Sequence, residues 1–186
     1  MIKKKIDTKK SNKLTPKKIS LALIIVNTIQ YHELKSKKES IDKIIPKVER
    51  LLMNNQSISL AFSEIITDSV EHINKVLVDL MKDDKIDSII FSGGMGFSKN
   101  EITYETIEPR FEKVIDGFGE LFRSLSYNEI GTPAMLYRAQ AGILRSKKKS
   151  KVIFLLPGSP DAVILALEHL INPELSNLLH LINKEE

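Results

Sequence analysis

The chain has 186 residues, 42% of them hydrophobic and 28% charged, with a formal net charge of +4 and no cysteine. That length and balance suit one globular domain with a sizeable core, and the missing cysteines exclude a disulfide framework or a thiolate metal site, in keeping with a reducing cytoplasm. The longest apolar run, Leu21 to Val26, is too short for a membrane-spanning helix, and no signal-peptide apolar region follows the lysine-rich start.

In chain order, residues 1–18 come first, with eight lysines against Asp7, a net of +7 that leaves the rest of the chain at −3. This stretch has no interleaved aromatics, so it reads as a disordered, solubilising arm rather than a nucleic-acid contact. From residue 19 to 186 the pattern alternates strand and helix. Ser20–Val26, Ile58–Ile66, Lys85–Phe91 and Val152–Leu156 read as strands. Ile41, Ile44, Ile45, Val48, Leu51 and Leu52 share one helical face, with Pro46 either kinking that helix or fixing its start. Val70, Ile73, Val76, Leu77 and Leu80 mark a second helix. Thr103–Lys113, Gly119–Leu125, Pro133–Leu144 and Ser159–Ile171 read as further helices, and Pro173 opens a last one. Arg145 and Lys147 to Lys151 read as a solvated basic loop. Strands separated by helical crossovers predict an α/β fold, a three-layer α/β/α arrangement around a mainly parallel sheet.

Two loops follow strands in this scheme. Ser92-Gly93-Gly94-Met95-Gly96 follows the third strand, and Pro157-Gly158-Ser159-Pro160 follows the fourth. Glycines there let backbone N–H groups converge on an anion, and Ser159 suits the N-cap of the next helix. In a parallel sheet both loops reach the crevice at the carboxyl edge. Neither the P-loop nor the Gly-x-Gly-x-x-Gly spacing is present. Asp68, after the second strand, and Glu101, after the glycine loop, would lie near that edge and could hold Mg²⁺ directly or through water. Both also have a structural reading at helix N-termini, and spacing alone favours capping for Asp68. His32, His72, His169 and His180 lack metal-ligand spacing.

Taken together, Ser92-Gly93-Gly94-Met95-Gly96, Glu101-Ile102-Thr103, Glu108-Pro109, Gly117-Phe118-Gly119-Glu120-Leu121-Phe122-Arg123, Gly131-Thr132-Pro133-Ala134-Met135-Leu136-Tyr137-Arg138-Ala139 and Leu156-Pro157-Gly158-Ser159-Pro160 resemble the MoaB/Mog family of molybdenum cofactor biosynthesis. The resemblance covers residues 88–175, while the first half is similar in pattern only. It implies a molybdopterin-binding-domain-like fold assembled as a trimer or hexamer. For active members it implies transfer of AMP from Mg-ATP to the terminal phosphate of molybdopterin, with release of pyrophosphate. On that resemblance Ser92, Gly93, Gly94, Gly96, Thr132 and Arg138 would bind nucleotide and cofactor phosphates. Pro157, Gly158, Ser159 and Pro160 would hold the pterin phosphate, and Asp68 and Glu101 would carry Mg²⁺ and the chemistry.

The chain departs from the family pattern at named places. Met95 stands where the family usually has Thr, Glu101 where it has Asp, and Tyr137 where it has Ser. Asn27-Thr28-Ile29 replaces Ser-Asp-Ser/Thr, and Lys38-Glu39-Ser40-Ile41 replaces Asp-x-Ser-Gly. The alternative reading is a non-catalytic, oligomeric molybdopterin-binding or scaffold member.

Overall fold

The computed structural model describes residues 18–36, 42–146 and 149–184. The basic arm up to residue 17, the segment Lys38-Glu39-Ser40-Ile41 and the pair Lys147 and Lys148 lie outside the described residues. Six strands are described: β1 (Ile19–Val26), β2 (Ile58–Ile66), β3 (Ser88–Ser92), β4 (Lys113–Val114), β5 (Gln140–Arg145) and β6 (Ser150–Leu156). They form one sheet in the order β2-β1-β3-β6-β5-β4. The first four in that order are parallel, and β5 and β4 add an antiparallel edge.

β1 shows how the sheet divides the core. Leu21, Leu23 and Ile25 point to one face and Ala22, Ile24 and Val26 to the other, the two-residue alternation of a strand buried on both sides. The first face packs against α2 (Ile45–Leu52), α5 (Asp116–Ile130), α6 (Pro160–Ala166) and α7 (Asn172–Ile182) through Val48, Leu52, Phe118, Phe122, Val163 and Leu175. The second is covered by α3 (Val70–Lys82) and α4 (Thr103–Ile107) through Ile73, Leu77, Leu80 and Ile107. The expected three layers are present. A bulge sets Leu60 and Phe62 opposite the consecutive Leu21 and Ala22 and leaves Ala61 as the extra residue of β2.

Several elements differ from the pattern reading. Pro46 is the second residue of α2 and fixes its start without a kink, while Asp42 caps that helix by accepting from the Ile44 and Ile45 N–H groups at 3.2 and 2.7 Å. The helix expected over Thr103–Lys113 stops at Ile107, because Pro109 and a 3₁₀ turn at Glu108–Arg110 lead into β4. The helix expected over Pro133–Leu144 is a 3₁₀ turn at Thr132–Leu136 followed by β5. Gly142 makes that strand possible: the Phe111 ring lies 2.2 Å from where a Cβ would sit. An additional helix, α1 (Thr28–Lys35), buries no residue and starts at Asn27, whose Oδ1 accepts from Gln30 N at 3.0 Å.

The solvated basic loop also needs correction. Arg145 ends β5, and Lys151 is fully buried in β6, with its ammonium donating to the Leu80 and Asp83 carbonyls at the end of α3 at 2.5 and 2.6 Å. Its aliphatic stem fills core, and its head bonds the Leu80 carbonyl in the last turn of the helix together with the Asp83 carbonyl just beyond it. Burial, followed by the nearby Lys149 charge, holds the Lys151 ammonium below its ordinary pKa.

Candidate functional site

β1, β3 and β6 all end at the same sheet edge, and the chain leaving each of them builds one wall of a cleft of about 690 Å³. Asn27, Gly93, Gly94, Gly96, Pro157, Gly158 and Pro160 line it from the sheet side. Lys43, Phe97, Glu101, Leu136 and Arg138 line it from the flanks.

The glycine loop is held by backbone approach. Gly93 has φ +101°, and an added Cβ would lie 2.3 Å from the Val26 carbonyl oxygen. Gly94 has φ +63°, and its Cβ position is 2.2 Å from Thr103 Oγ1 and 2.9 Å from both Asp68 carboxylate oxygens. No L side chain fits either place without strain. The two loops also touch each other: Gly93 N donates to Leu156 O at 3.1 Å, and an added Cβ on Gly158 would meet Gly93 Cα at 3.1 Å. The buried Ser92 hydroxyl donates to the Pro157 carbonyl at 2.9 Å, so this side chain joins the loops. Met95 is also buried, packed in the cluster with Val26, Ile66, Phe91 and Ile107, and the same residue forms part of the cleft lining.

Capping, the role spacing favoured for Asp68, falls to its neighbour: Ser69 caps α3, its hydroxyl accepting from His72 N at 3.2 Å. The Asp68 carboxylate instead crosses to the glycine loop and accepts from Ile102 N at 3.4 Å. Burial, with the Glu101 and Glu105 charges adding to it, pushes the Asp68 carboxyl above its ordinary range, and the Ile102 N–H opposes this. Beside it the fully buried Thr103 hydroxyl has no hydrogen-bond partner. A half-buried carboxylate next to an unpaired hydroxyl is an oxygen donor set of the kind Mg²⁺ accepts, since that ion completes its shell with water and substrate phosphates. Among the described residues, no group of three or more His, Asp or Glu side chains gathers around one ion site.

Glu101 turns inward. Its two carboxylate oxygens accept from Gly96 N at 3.1 Å and Ser98 N at 3.4 Å, and Glu101 N in turn donates to Ser98 O at 3.1 Å. Gly96 leaves room for this arm, since an added Cβ would sit 2.2 Å from Glu101 Oε2. Arg138 pins the same loop from outside. It donates to Gly96 O at 3.0 Å and to Glu105 Oε1 at 2.5 Å, and its guanidinium lies 4.3 Å over the Tyr104 ring.

The remaining expected site residues divide. Pro157, Gly158 and Pro160 line the cleft, while Ser159 faces the helix it caps, accepting from Ala162 N at 3.2 Å. Thr132 is exposed at the start of its 3₁₀ turn and is not part of the lining, although Pro133 next to it is. Sequence reasoning missed Lys43, Phe97, Tyr104 and Glu105. Asp42 two residues before Ile44 and three before Ile45 was the available signal for the first, as a cap that fixes where Lys43 stands.

Comparison with known proteins places this geometry. The family described as "Probable molybdopterin binding domain" matches residues 26–177. "Molybdenum cofactor biosynthesis protein B" of Staphylococcus aureus is 42% identical over 138 residues, 74% of this chain and 79% of that protein. The protein of the same name from Staphylococcus epidermidis is 46% identical over 123 residues, 65% of this chain and 68% of its own. The crystal structure of a tungsten cofactor synthesizing protein MoaB from Pyrococcus furiosus superposes with a TM-score of 0.74 at 32% identity, covering 91% of this chain and all of that one.

Proposed function

The chain belongs to the MoaB-like proteins of the MoaB/Mog family of molybdenum cofactor biosynthesis, and from that membership we propose that it binds molybdopterin and transfers AMP from Mg-ATP to its terminal phosphate, releasing pyrophosphate. The observation that carries this reading is the meeting of the Gly93–Gly94 loop and the Gly158 loop in one cleft, with the Asp68 carboxylate next to Gly94 although not itself part of the cleft lining. A phosphate oxygen of the pterin attacks the α-phosphorus of ATP, the bond to the β-phosphate oxygen breaks, and pyrophosphate leaves with that electron pair. Such a transfer depends on positioning and electrostatics more than on a protein nucleophile.

Backbone N–H groups of the glycine loop other than those of Gly93 and Gly96, which bond to Leu156 O and Glu101 Oε1, hold nucleotide phosphates, and the loop at Gly158 and Ser159 holds the pterin phosphate. Lys43 and Arg138 supply positive charge on the flanks. Mg²⁺, held by Asp68 with the Thr103 hydroxyl near it and Glu101 reached through water, would neutralise charge at the α-phosphate. Asp68 must be ionised for this role, which burial and then the Glu101 and Glu105 charges oppose in the ligand-free protein.

Two observations favour the second reading, a non-catalytic, oligomeric molybdopterin-binding or scaffold member. Glu101 directs both oxygens to its own loop, and Met95 offers no hydroxyl to the cleft. One experiment separates the two. Purified protein with Mg-ATP and molybdopterin should release pyrophosphate and form the adenylylated pterin, and Glu101→Gln should abolish this turnover; binding of the pterin without turnover selects the scaffold. Self-assembly as a trimer or hexamer in the cytoplasm belongs to both readings. It is supported by the exposed apolar residues Leu121, Tyr127, Ile130, Met135 and Leu136, and light scattering that finds a stable monomer at micromolar concentration would refute it. No helix among the described residues is long and apolar enough to cross a membrane.

A further inference from the structure

We propose that Phe97 is a stacking platform for the planar heterocycle of the ligand in the cleft. The proposal rests on the nucleotide and pterin reading above and names the residue that would read the ring rather than the phosphates. Phe97 is 71% exposed, yet it follows the third loop glycine and lines the cleft. A single exposed phenyl on a slack loop is ordinary. This one is not on a slack loop.

Gly96, the residue before Phe97, is fixed on both sides: its N–H donates to Glu101 Oε1 and its carbonyl accepts from Arg138 Nη1. The residue after it is fixed by the other Glu101 oxygen. The carboxylate therefore spans the apex of a tight turn, and the side chain at that apex is the phenyl ring. Arg138 Cζ lies 5.7 Å from the Phe97 ring centroid, so the cation that ties down the loop also steadies the ring. Presenting an apolar ring to water from a backbone fixed on both sides is unfavourable unless something covers it, and at the lip of a cleft built for phosphates the fitting partner is a flat π-system joined to a phosphate. A purine base and a pterin both have that chemistry. Aromatic side chains stack on such rings without needing hydrogen-bond readout.

The test is calorimetric titration of the full chain with Mg-ATP, with a phosphorylated pterin, and with Mg-tripolyphosphate, which carries the charge but no ring. Phe97→Leu keeps apolar bulk without the ring, and Phe97→Tyr keeps the ring. If the platform is real, Phe97→Leu weakens one ring ligand roughly ten-fold, the order expected of one lost stack. Phe97→Tyr then stays near wild type, and tripolyphosphate is unaffected by either change. A loss confined to ATP assigns the platform to adenine, and one confined to the pterin assigns it to that ring. The proposal is overturned if Phe97→Leu binds both ring ligands like wild type, or if tripolyphosphate weakens equally, which would make Phe97 a loop-shaping residue. A change of oligomeric state in Phe97→Leu, measured by light scattering, would place the ring in a subunit contact and overturn it as well. Wild-type protein that binds neither ring ligand would defeat the nucleotide and pterin reading itself, whereas wild-type binding that survives the loss of the ring defeats this inference alone.

Discussion

Thr103→Val tests whether the site keeps a polar atom at the expense of stability. The Thr103 hydroxyl is fully buried and unpaired, while its backbone N–H remains bonded to Gly94 O at 3.0 Å in either variant. A buried polar group without a partner costs about 1–3 kcal/mol. Valine places a methyl group where the hydroxyl was, keeps the β-branched shape and adds roughly 0.8 kcal/mol of apolar burial. Against this, the methyl lies in the neighbourhood of the Asp68 carboxylate, around the Cα of Gly94, and desolvates it further. The expected balance is a gain of about 1 kcal/mol, or roughly 2–4 °C in Tm for a chain of this length. Urea unfolding at matched protein concentration measures it, read from a shift in midpoint at constant slope. Thr103→Ser, which keeps the hydroxyl and loses the methyl, should move the other way. A loss of 1 kcal/mol or more in Thr103→Val would mean that the hydroxyl has a partner in the free protein, and the reasoning that ties it to a ligand would fail.

Asp68→Asn should also stabilise the free protein at neutral pH, by a few tenths to about 1 kcal/mol for a half-buried group, because it removes a charge that burial, Glu101 and Glu105 oppose. A raised carboxyl favours the folded state only when protonated, so wild type is penalised above that raised value. The advantage of Asn therefore closes as pH falls through it and is gone below the ordinary aspartate range; urea midpoints at neutral and acid pH check this, and an Asn variant less stable at neutral pH contradicts it. Gly93→Ala and Gly96→Ala should differ. The first meets the Val26 carbonyl oxygen at positive φ and should cost more than about 3 kcal/mol, while the second meets only the movable end of Glu101 and should cost less than about 1.5 kcal/mol. Thermal unfolding of the pair decides it, and Gly96→Ala melting below Gly93→Ala would refute the contact analysis.

The parallel half of the sheet is legible because β1, β3 and β6 are buried on both faces and read as apolar runs, while β2, the edge strand with an exposed middle, reads from its Ile, Leu and Phe content. The antiparallel edge is not. Gln140–Arg145 carries no alternation, and it becomes a strand because β6 offers it an edge and Phe111 fills the space over Gly142. Helix α1 was missed for the opposite reason: it buries nothing, so no apolar face marks it, and its only signal is the Asn27 cap. In the site, the glycine loops were visible as composition, whereas the directions of side chains were not. Asp68 and Ser69 are equally good caps on paper, and the choice is made by the distant Ile102 N–H, which draws Asp68 away. Lys151 reads with its lysine neighbours because charge runs read as surface; the Leu80 carbonyl of α3 and the Asp83 carbonyl just past its end decide otherwise.

The contact between Gly93 and Gly158 bears on how the protein acquires its binding site. Ser92 stands opposite Leu156 in the β3–β6 pairing, and β4, β5 and α5 lie between these strands in the chain. The anion cradle therefore does not exist in any local fragment; it closes only when a long stretch of chain has looped round and parallel strands have found their register, a step that is intrinsically slow. Folding intermediates that contain β1 to β3 alone are blind to phosphate. A ligand bridging the two loops acts as a clasp on a strongly non-local join in the sheet, so its arrival slows unfolding and protects the chain from proteases in the same event that prepares it for chemistry.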